Sequence, residues 1–190
     1  MFLADREIGF DYGHRVFQHE SKCRNAHGHR GMVHFYASGV QLDNLGRVID
    51  FSVLKDKLGG FIDDKWDHGF IYYEKDNEII DALSRISGQK TYPLPFNPTA
   101  ENLAFFLMYG ICPRVLVDTG VVIDKIVFWE TPNCSVELIH QNIISKSESF
   151  RFEQDMWDKV DQYLEEHPEL VSMNVRAFIP GEFSRPSKQF

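Results

Sequence analysis

"KCRNAHGHRG", residues 22–31, decides how the rest of the chain is read. A cysteine stands four residues ahead of two histidines that share one glycine, among Lys22, Arg24 and Arg30. On an extended strand, side chains two apart project from the same face. His27 and His29 therefore present two imidazoles together, which is how a strand offers two ligands to a metal ion. A third nitrogen has to come from another segment, and His14, on the face of a neighbouring strand, is the natural candidate. Three histidines with no fourth protein ligand describe a catalytic zinc with an open position. Other readings stand beside this one. An isolated His-x-His is commonly just a polar strand or loop, and Cys23 offers either a Cys-His-His zinc site or a buried thiol.

Upstream, "REIGFDYGHRVF" (6–17) alternates, with Ile8, Phe10, Tyr12 and His14 on one face of a strand. Downstream, "GMVHFYASG" (31–39) is β-branched and aromatic enough for a second strand, whose period turns His34 away from the face of His29. "LDNLG" (42–46) holds turn residues that would close a hairpin onto "RVIDF" (47–51). Asp50 reads as an N-cap, followed by Leu54, Leu58, Phe61 and Ile62 at helical spacing as far as Trp66. Gly59 and Gly60 each weaken that helix by ~1 kcal/mol, enough for a break. "NEIIDALSRIS" (77–87) is a shorter helical pattern, and "YPLPFNP" (92–98) reads as a loop because of its prolines. Thr99 opens another helix with Leu103, Phe106, Leu107 and Ile111 as its buried stripe. "VVIDKIVFWE" (121–130) and "CSVELIHQ" (134–141) flank "TPN" as a closing hairpin. The expected class is α+β with an antiparallel sheet.

From residue 145 the character changes. "FRFEQDMWDKVDQYLEEHPEL" (150–170) puts Phe152, Met156, Val160 and Leu164 on one helical face, a solvated helix with a stabilising role, and "FIPGEFSRPSKQF" (178–190) is turn-rich. The expected division is residues 1–144 as the main domain and 145–190 as an extension.

The composition is globular, at 43% hydrophobic and 25% charged, and sixteen phenylalanines point to an aromatic core or subunit interface. A net charge of −8 argues against binding nucleic acid or an anionic membrane, while the cations around Cys23 leave room for an anionic substrate. Three cysteines, at 23, 112 and 134, are an odd number without framework spacing, which fits a reducing compartment. "MFLADREIGF" carries charges where a signal peptide needs an apolar run, and "LAFFLMYGIC" (103–112) is too short to span a bilayer. A cytoplasmic protein is expected.

Two further places carry chemistry. Asp67 beside His68 can fix the tautomer of a catalytic imidazole, or His68 can simply favour a helix C-terminus. Glu130 ends an apolar strand face shared with Ile126 and Phe128, either waiting for a ligand's N–H groups or merely exposed. No glycine-rich dinucleotide loop is present, so no nicotinamide or flavin is expected.

His14, "CRNAHGH" (23–29), "DH" (67–68), "NPTAENLA" (97–104) and "WET" (129–131) occur in the order seen in the 6-pyruvoyltetrahydropterin synthase family, which this chain resembles over roughly residues 6–142. The three-residue gap between Cys23 and His27 is similar to the 6-carboxytetrahydropterin synthase branch. The resemblance implies zinc on His14, His27 and His29, Cys23 as catalytic base, and Asp67 and His68 completing a proton relay. It implies Glu130 as the grip on the pterin ring. Thr99 counts among the substrate contacts, beside Ala100 where a serine is common, and Lys22, Arg24, Arg15 and Arg30 are candidates for the triphosphate. The implied fold is the tunnelling fold, a four-stranded antiparallel sheet with two helices on one face, assembled as trimers and hexamers with active sites at subunit junctions. The implied reaction converts 7,8-dihydroneopterin triphosphate to 6-carboxy-5,6,7,8-tetrahydropterin for queuosine and other 7-deazaguanines. A 6-pyruvoyl product, or a non-catalytic pterin- or zinc-binding protein on the same fold, are the alternatives.

Overall fold

The computed structural model describes residues 2–140 and 148–173, with side chains from residue 155 onward in the second stretch. The expected boundary at 144/145, the Phe152 side chain and the stretch 178–190 lie outside the described residues.

The alternation around His14 does form a strand, β1 (Ala4–His14), antiparallel to β2 (His27–Gly39), and β2 pairs with β5 (Val121–Thr131), which pairs with β6 (Cys134–Ile139). These four strands are the expected antiparallel unit. The sheet, however, has six strands in the order β4-β3-β1-β2-β5-β6 and is mixed. β3 (Gly69–Tyr73) runs parallel to β1, and β4 (Thr91–Leu94) runs parallel to β3. The prolines misled the sequence reading here. Pro93 sits in β4, an edge strand, where a missing N–H costs no ladder bond.

The hairpin expected at 47–51 does not form. Asp43 accepts from the backbone N–H groups of Leu45 and Arg47 and from the Arg47 guanidinium, each at 2.9 Å, which folds the segment into a turn. Asp50 caps the next helix by accepting from Ser52 N at 2.9 Å. That helix, α1 (51–66), runs through Gly59 and Gly60 without a break, widened to i→i+5 bonding over Lys55–Gly59 and again over Ile62–Trp66. α2 (Asn77–Ser84) follows, and α3 (100–115) begins after Thr99, whose hydroxyl accepts from Asn102 N at 3.3 Å.

Phe10, Phe35 and Phe128 from the sheet meet Trp66 and Phe106 from the helices in one aromatic core, all of them fully buried. α3 is apolar all round, and such a helix needs cover on every side. The sheet covers one flank and α4 (Glu148–Glu166) another, with Val160 and Leu164 buried against it. Gly110 permits the approach, since a Cβ there would stand 2.8 Å from Val160 Cγ1 and 2.9 Å from Leu164 Cδ1. Arg114 binds Asp161 at 2.6 Å, Tyr92 Oη donates to the Leu170 carbonyl at 3.2 Å, and Lys65 Nζ donates to the Glu169 carbonyl at 3.1 Å. The C-terminal helix is thus packed into the core, where the sequence suggested a solvated one. Among the described residues, β1 is open on its β3 side over residues 4–10, and the outer edge of β6 is open.

Candidate metal centre and adjoining clefts

β1 and β2 pair so that His14 faces His27 and Tyr12 faces His29. Period two keeps all four side chains on the helix side of the sheet, at the end of the apolar stripe. The three imidazole centroids form a near-regular triangle with sides of 4.6, 5.1 and 4.9 Å, and one ligand nitrogen from each ring lies within 4.8 Å of the others. His34 points to the opposite face, as its position predicts, between Asp5 and Glu7.

The backbone sets the tautomers. His14 Nδ1 lies 2.8 Å from the Pro98 carbonyl oxygen and His27 Nδ1 lies 2.7 Å from that of Asn25. A carbonyl only accepts, so each Nδ1 carries the proton and each Nε2 presents a lone pair. His14 Nε2 is buried and has no hydrogen-bond partner among the described residues. Burial is the main force holding the His14 imidazole down to about 4. The Pro98 carbonyl opposes it, and the neighbouring His27 and His29 add to it. His29 is lowered as well, first by burial, with Glu130 working against the shift. Three converging imidazoles, with the buried Nε2 of His14 left without a partner among the described residues, fit a divalent transition metal of the zinc type.

Glu130 sits where the β5–β6 register shifts between Trp129 and Thr131, a bulge in the strand. Its Oε1 stands 3.6 Å from His14 Nε2 and 4.0 Å from His29 Nε2. Tyr12 lies beneath, its ring 5.1 Å from His14 and 6.0 Å from His29, and burial with the Glu130 charge pushes its phenol up.

Asp67 breaks α1 by turning extended, and His68 follows with φ +57, a left-handed conformation rare for a side chain with a Cβ. The turn lets Asp67 Oδ1 accept from Asp11 N at 2.8 Å while Oδ2 accepts from His68 Nδ1 at 2.7 Å, which leaves His68 Nε2 facing outward. Desolvation opposes the Asp67 carboxylate, but the Asp11 N–H, His68 and Lys90 outweigh it and hold the carboxyl below its ordinary range.

Two clefts adjoin the triad. One of about 650 Å³ is lined by His27, His29, Asp11, Tyr12 and His68. The other, about 250 Å³, is lined by Cys23, Thr99, Glu101, Glu130 and Cys134. Within the chain, therefore, Cys23 shares a cleft with Glu130 and Thr99 but not with Asp67 and His68. Lys22 and Arg24 are exposed on the turn that carries Cys23 and line neither cleft. Arg15 is engaged by Asp76 and Glu78, and Arg30 pairs with Asp11 at 2.7 Å, so both are partly neutralised. Sequence reasoning missed the Pro98 and Asn25 carbonyls, and it missed Asn97. The Asn97 amide accepts from Phe17 N at 2.7 Å and donates to Phe17 O at 3.0 Å, tying the loop after β1 to the start of α3. "NPTAEN" was visible, but nothing in it shows which backbone it clamps.

The sequence matches the family described as "6-pyruvoyl tetrahydropterin synthase" over residues 4–141. The chain belongs to that family. A relative from Rickettsia bellii named 6-carboxy-5,6,7,8-tetrahydropterin synthase is 39% identical over 138 residues, 73% of this chain and 100% of that protein. One of the same name from Haemophilus influenzae is 35% identical, covering 72% of this chain and 98% of its own length. The chain is thus like the 6-carboxytetrahydropterin synthase enzymes of the family. An uncharacterised protein from Wolinella succinogenes superposes with a TM-score of 0.62 at 26% identity, over 74% of this chain and 98% of that one. The 6-pyruvoyl tetrahydropterin synthase of Caenorhabditis elegans superposes at 0.50 and 21% identity, over 74% of this chain and 96% of that one, which speaks to fold alone. Among the described residues no helix is long and apolar enough to cross a membrane.

Proposed function

We propose that the protein is a zinc-dependent lyase that converts 7,8-dihydroneopterin triphosphate to 6-carboxy-5,6,7,8-tetrahydropterin, acetaldehyde and triphosphate, in the synthesis of queuosine and related 7-deazaguanines. The observation that carries this is the convergence of His14, His27 and His29 beside the carboxylate of Glu130. The names of the 35–39% identical relatives support the choice of product.

His14, His27 and His29 would hold the zinc, which supplies Lewis acidity to hydroxyl oxygens of the substrate side chain. Glu130 accepts the two parallel N–H groups of the amino-pyrimidine edge, a charge-assisted pair that selects a pterin. Thr99 borders the same cleft. Cys23 takes a proton as general base, and His68, its tautomer fixed by Asp67, returns one. Lys22 and Arg24, exposed beside Cys23, hold the triphosphate. Because Cys23 and His68 border different clefts of one protomer, the relay is assembled between subunits. The open edges of β1 and β6 support a trimeric barrel, stacked as a hexamer, that would bring them together. Residues 1–144 form the pterin synthase domain in this reading, and 145–190 an extension whose described part, 148–173, packs on the helices of that domain. The reaction belongs to the cytoplasm.

Incubating the zinc-loaded protein with dihydroneopterin triphosphate and weighing the product tests the reading. The 6-carboxy product supports it, a 6-pyruvoyl product moves the protein to the neighbouring branch, and pterin binding without turnover makes it a binding protein.

A further inference from the structure

Two complementary groups at the metal centre are without hydrogen bonds. The Tyr12 hydroxyl is buried and has no partner among the described residues, and Tyr12 is only 3% exposed. An unmade hydrogen bond at such a place is costly, so a buried donor kept there is normally kept for an acceptor. No hydrogen bond holds the Glu130 carboxylate among the described residues either, since its contacts with His14 and His29 are 3.6 and 4.0 Å.

The chain brings the two groups to neighbouring places. Gly31 lies on β2 between them, and a Cβ there would stand 2.9 Å from Tyr12 Cε1. The glycine therefore lets the Tyr12 ring cross β2. On the far side the ring meets Phe128 of β5 edge-on at 6.3 Å. β2 pairs with β5 through Val33–Phe128 and Met32–Trp129, so continuing that register by one residue sets Gly31 beside Glu130. The phenol thus reaches over Gly31 toward the bulge that carries the carboxylate.

We propose that Tyr12 is a positioning residue for the substrate grip: its hydroxyl donates to Glu130 when a pterin is bound, holding the carboxylate toward the ring edge and away from the histidine nitrogens. This rests on the pterin reading of the site. A carboxylate has about four lone-pair positions, so it can accept from Tyr12 while both oxygens still face the two N–H groups of the ligand. Left unheld, Glu130 rests against the open side of the triad, 3.6 Å from His14 Nε2 and 4.0 Å from His29 Nε2.

The test uses neopterin, which is fluorescent, titrated into the zinc-loaded full-length protein and its Tyr12→Phe, Glu130→Gln and doubly substituted variants. One hydrogen bond to a charged group corresponds to roughly 10–100-fold in affinity. Tyr12→Phe should weaken neopterin binding about tenfold or more, and the double variant should bind no worse than Glu130→Gln alone. The ligand-free Tyr12→Phe protein should keep its zinc and be as stable as the parent or more so, because the substitution removes an unsatisfied buried hydroxyl. A purely structural role would instead lower stability and leave affinity unchanged. Parent-like affinity in Tyr12→Phe, or effects that simply multiply in the double variant, overturn the inference while the pterin reading stands. Failure of the parent protein to bind neopterin overturns both.

Discussion

His14 and Pro98 stand 84 positions apart in sequence, yet the imidazole Nδ1 lies 2.8 Å from the proline carbonyl. That contact fixes the ring's tautomer and orientation and turns the Nε2 lone pair toward His27 and His29. The segment leading into α3 thereby orients the histidine triad without adding a member to it. Asn97, clamped to Phe17, holds the carbonyl in place.

Replacing His14 by alanine should abolish the centre while the other two rings remain. Chelator competition should show zinc held at least ~100-fold more weakly, since loss of an orienting contact alone costs 10–100-fold. Parent-like zinc affinity in His14→Ala would exclude it as a ligand.

The metal-free protein should lose stability in acid. Burial first, then the charges of His27 and His29, hold the folded-state value of His14 to about 4 against an ordinary 6.5, although the Pro98 carbonyl pulls upward. A depressed histidine means that the unfolded chain takes the proton first. Its contribution is therefore complete above 6.5 and is lost as the pH falls through that value toward 4. The loss should approach about 3 kcal/mol at the acid end. Urea unfolding of the metal-free protein across this range should show the decline, and a flat profile would contradict it.

Cys23→Ala should reduce turnover by roughly 10²–10⁴, the range for a general base, and leave zinc stoichiometry unchanged. Loss of metal together with the thiol would make Cys23 a ligand and return credit to a Cys-His-His site.

Gly110→Val tests whether the C-terminal helix is part of the fold. Even a Cβ at 110 would lie 2.8 Å from Val160 Cγ1, so the larger side chain must push α4 off α3. Overpacking of this kind costs ~1–3 kcal/mol. Urea unfolding should show that loss, with faster proteolysis within 148–173. Unchanged stability would mean that α4 contributes little.

The histidines were legible because a two-residue spacing on a strand has a single geometric meaning, and β1 carried His14 on the matching face. Asp50, Thr99 and the stripe of α3 were legible for similar local reasons. What was hidden depends on distant backbone. The Pro98 and Asn25 carbonyls have no side-chain signature, and the bulge at Glu130 is a property of two strands together. "GFIYY" (69–73) is too short to announce a parallel strand, and Pro93 disguised its neighbour. The full cover of α3 was signalled by "LAFFLMYGIC", apolar on every face, but not the identity of its partner. That Cys23 and His68 border different clefts could not be read from their order along the chain.

Zinc K-edge X-ray absorption on the purified full-length protein tests the central claim most directly. Three imidazole nitrogens with oxygen completing the shell, and no sulfur, is the result expected if His14, His27 and His29 hold the ion and Cys23 stands free for proton transfer. A sulfur in that shell, or fewer than three imidazoles, would contradict it.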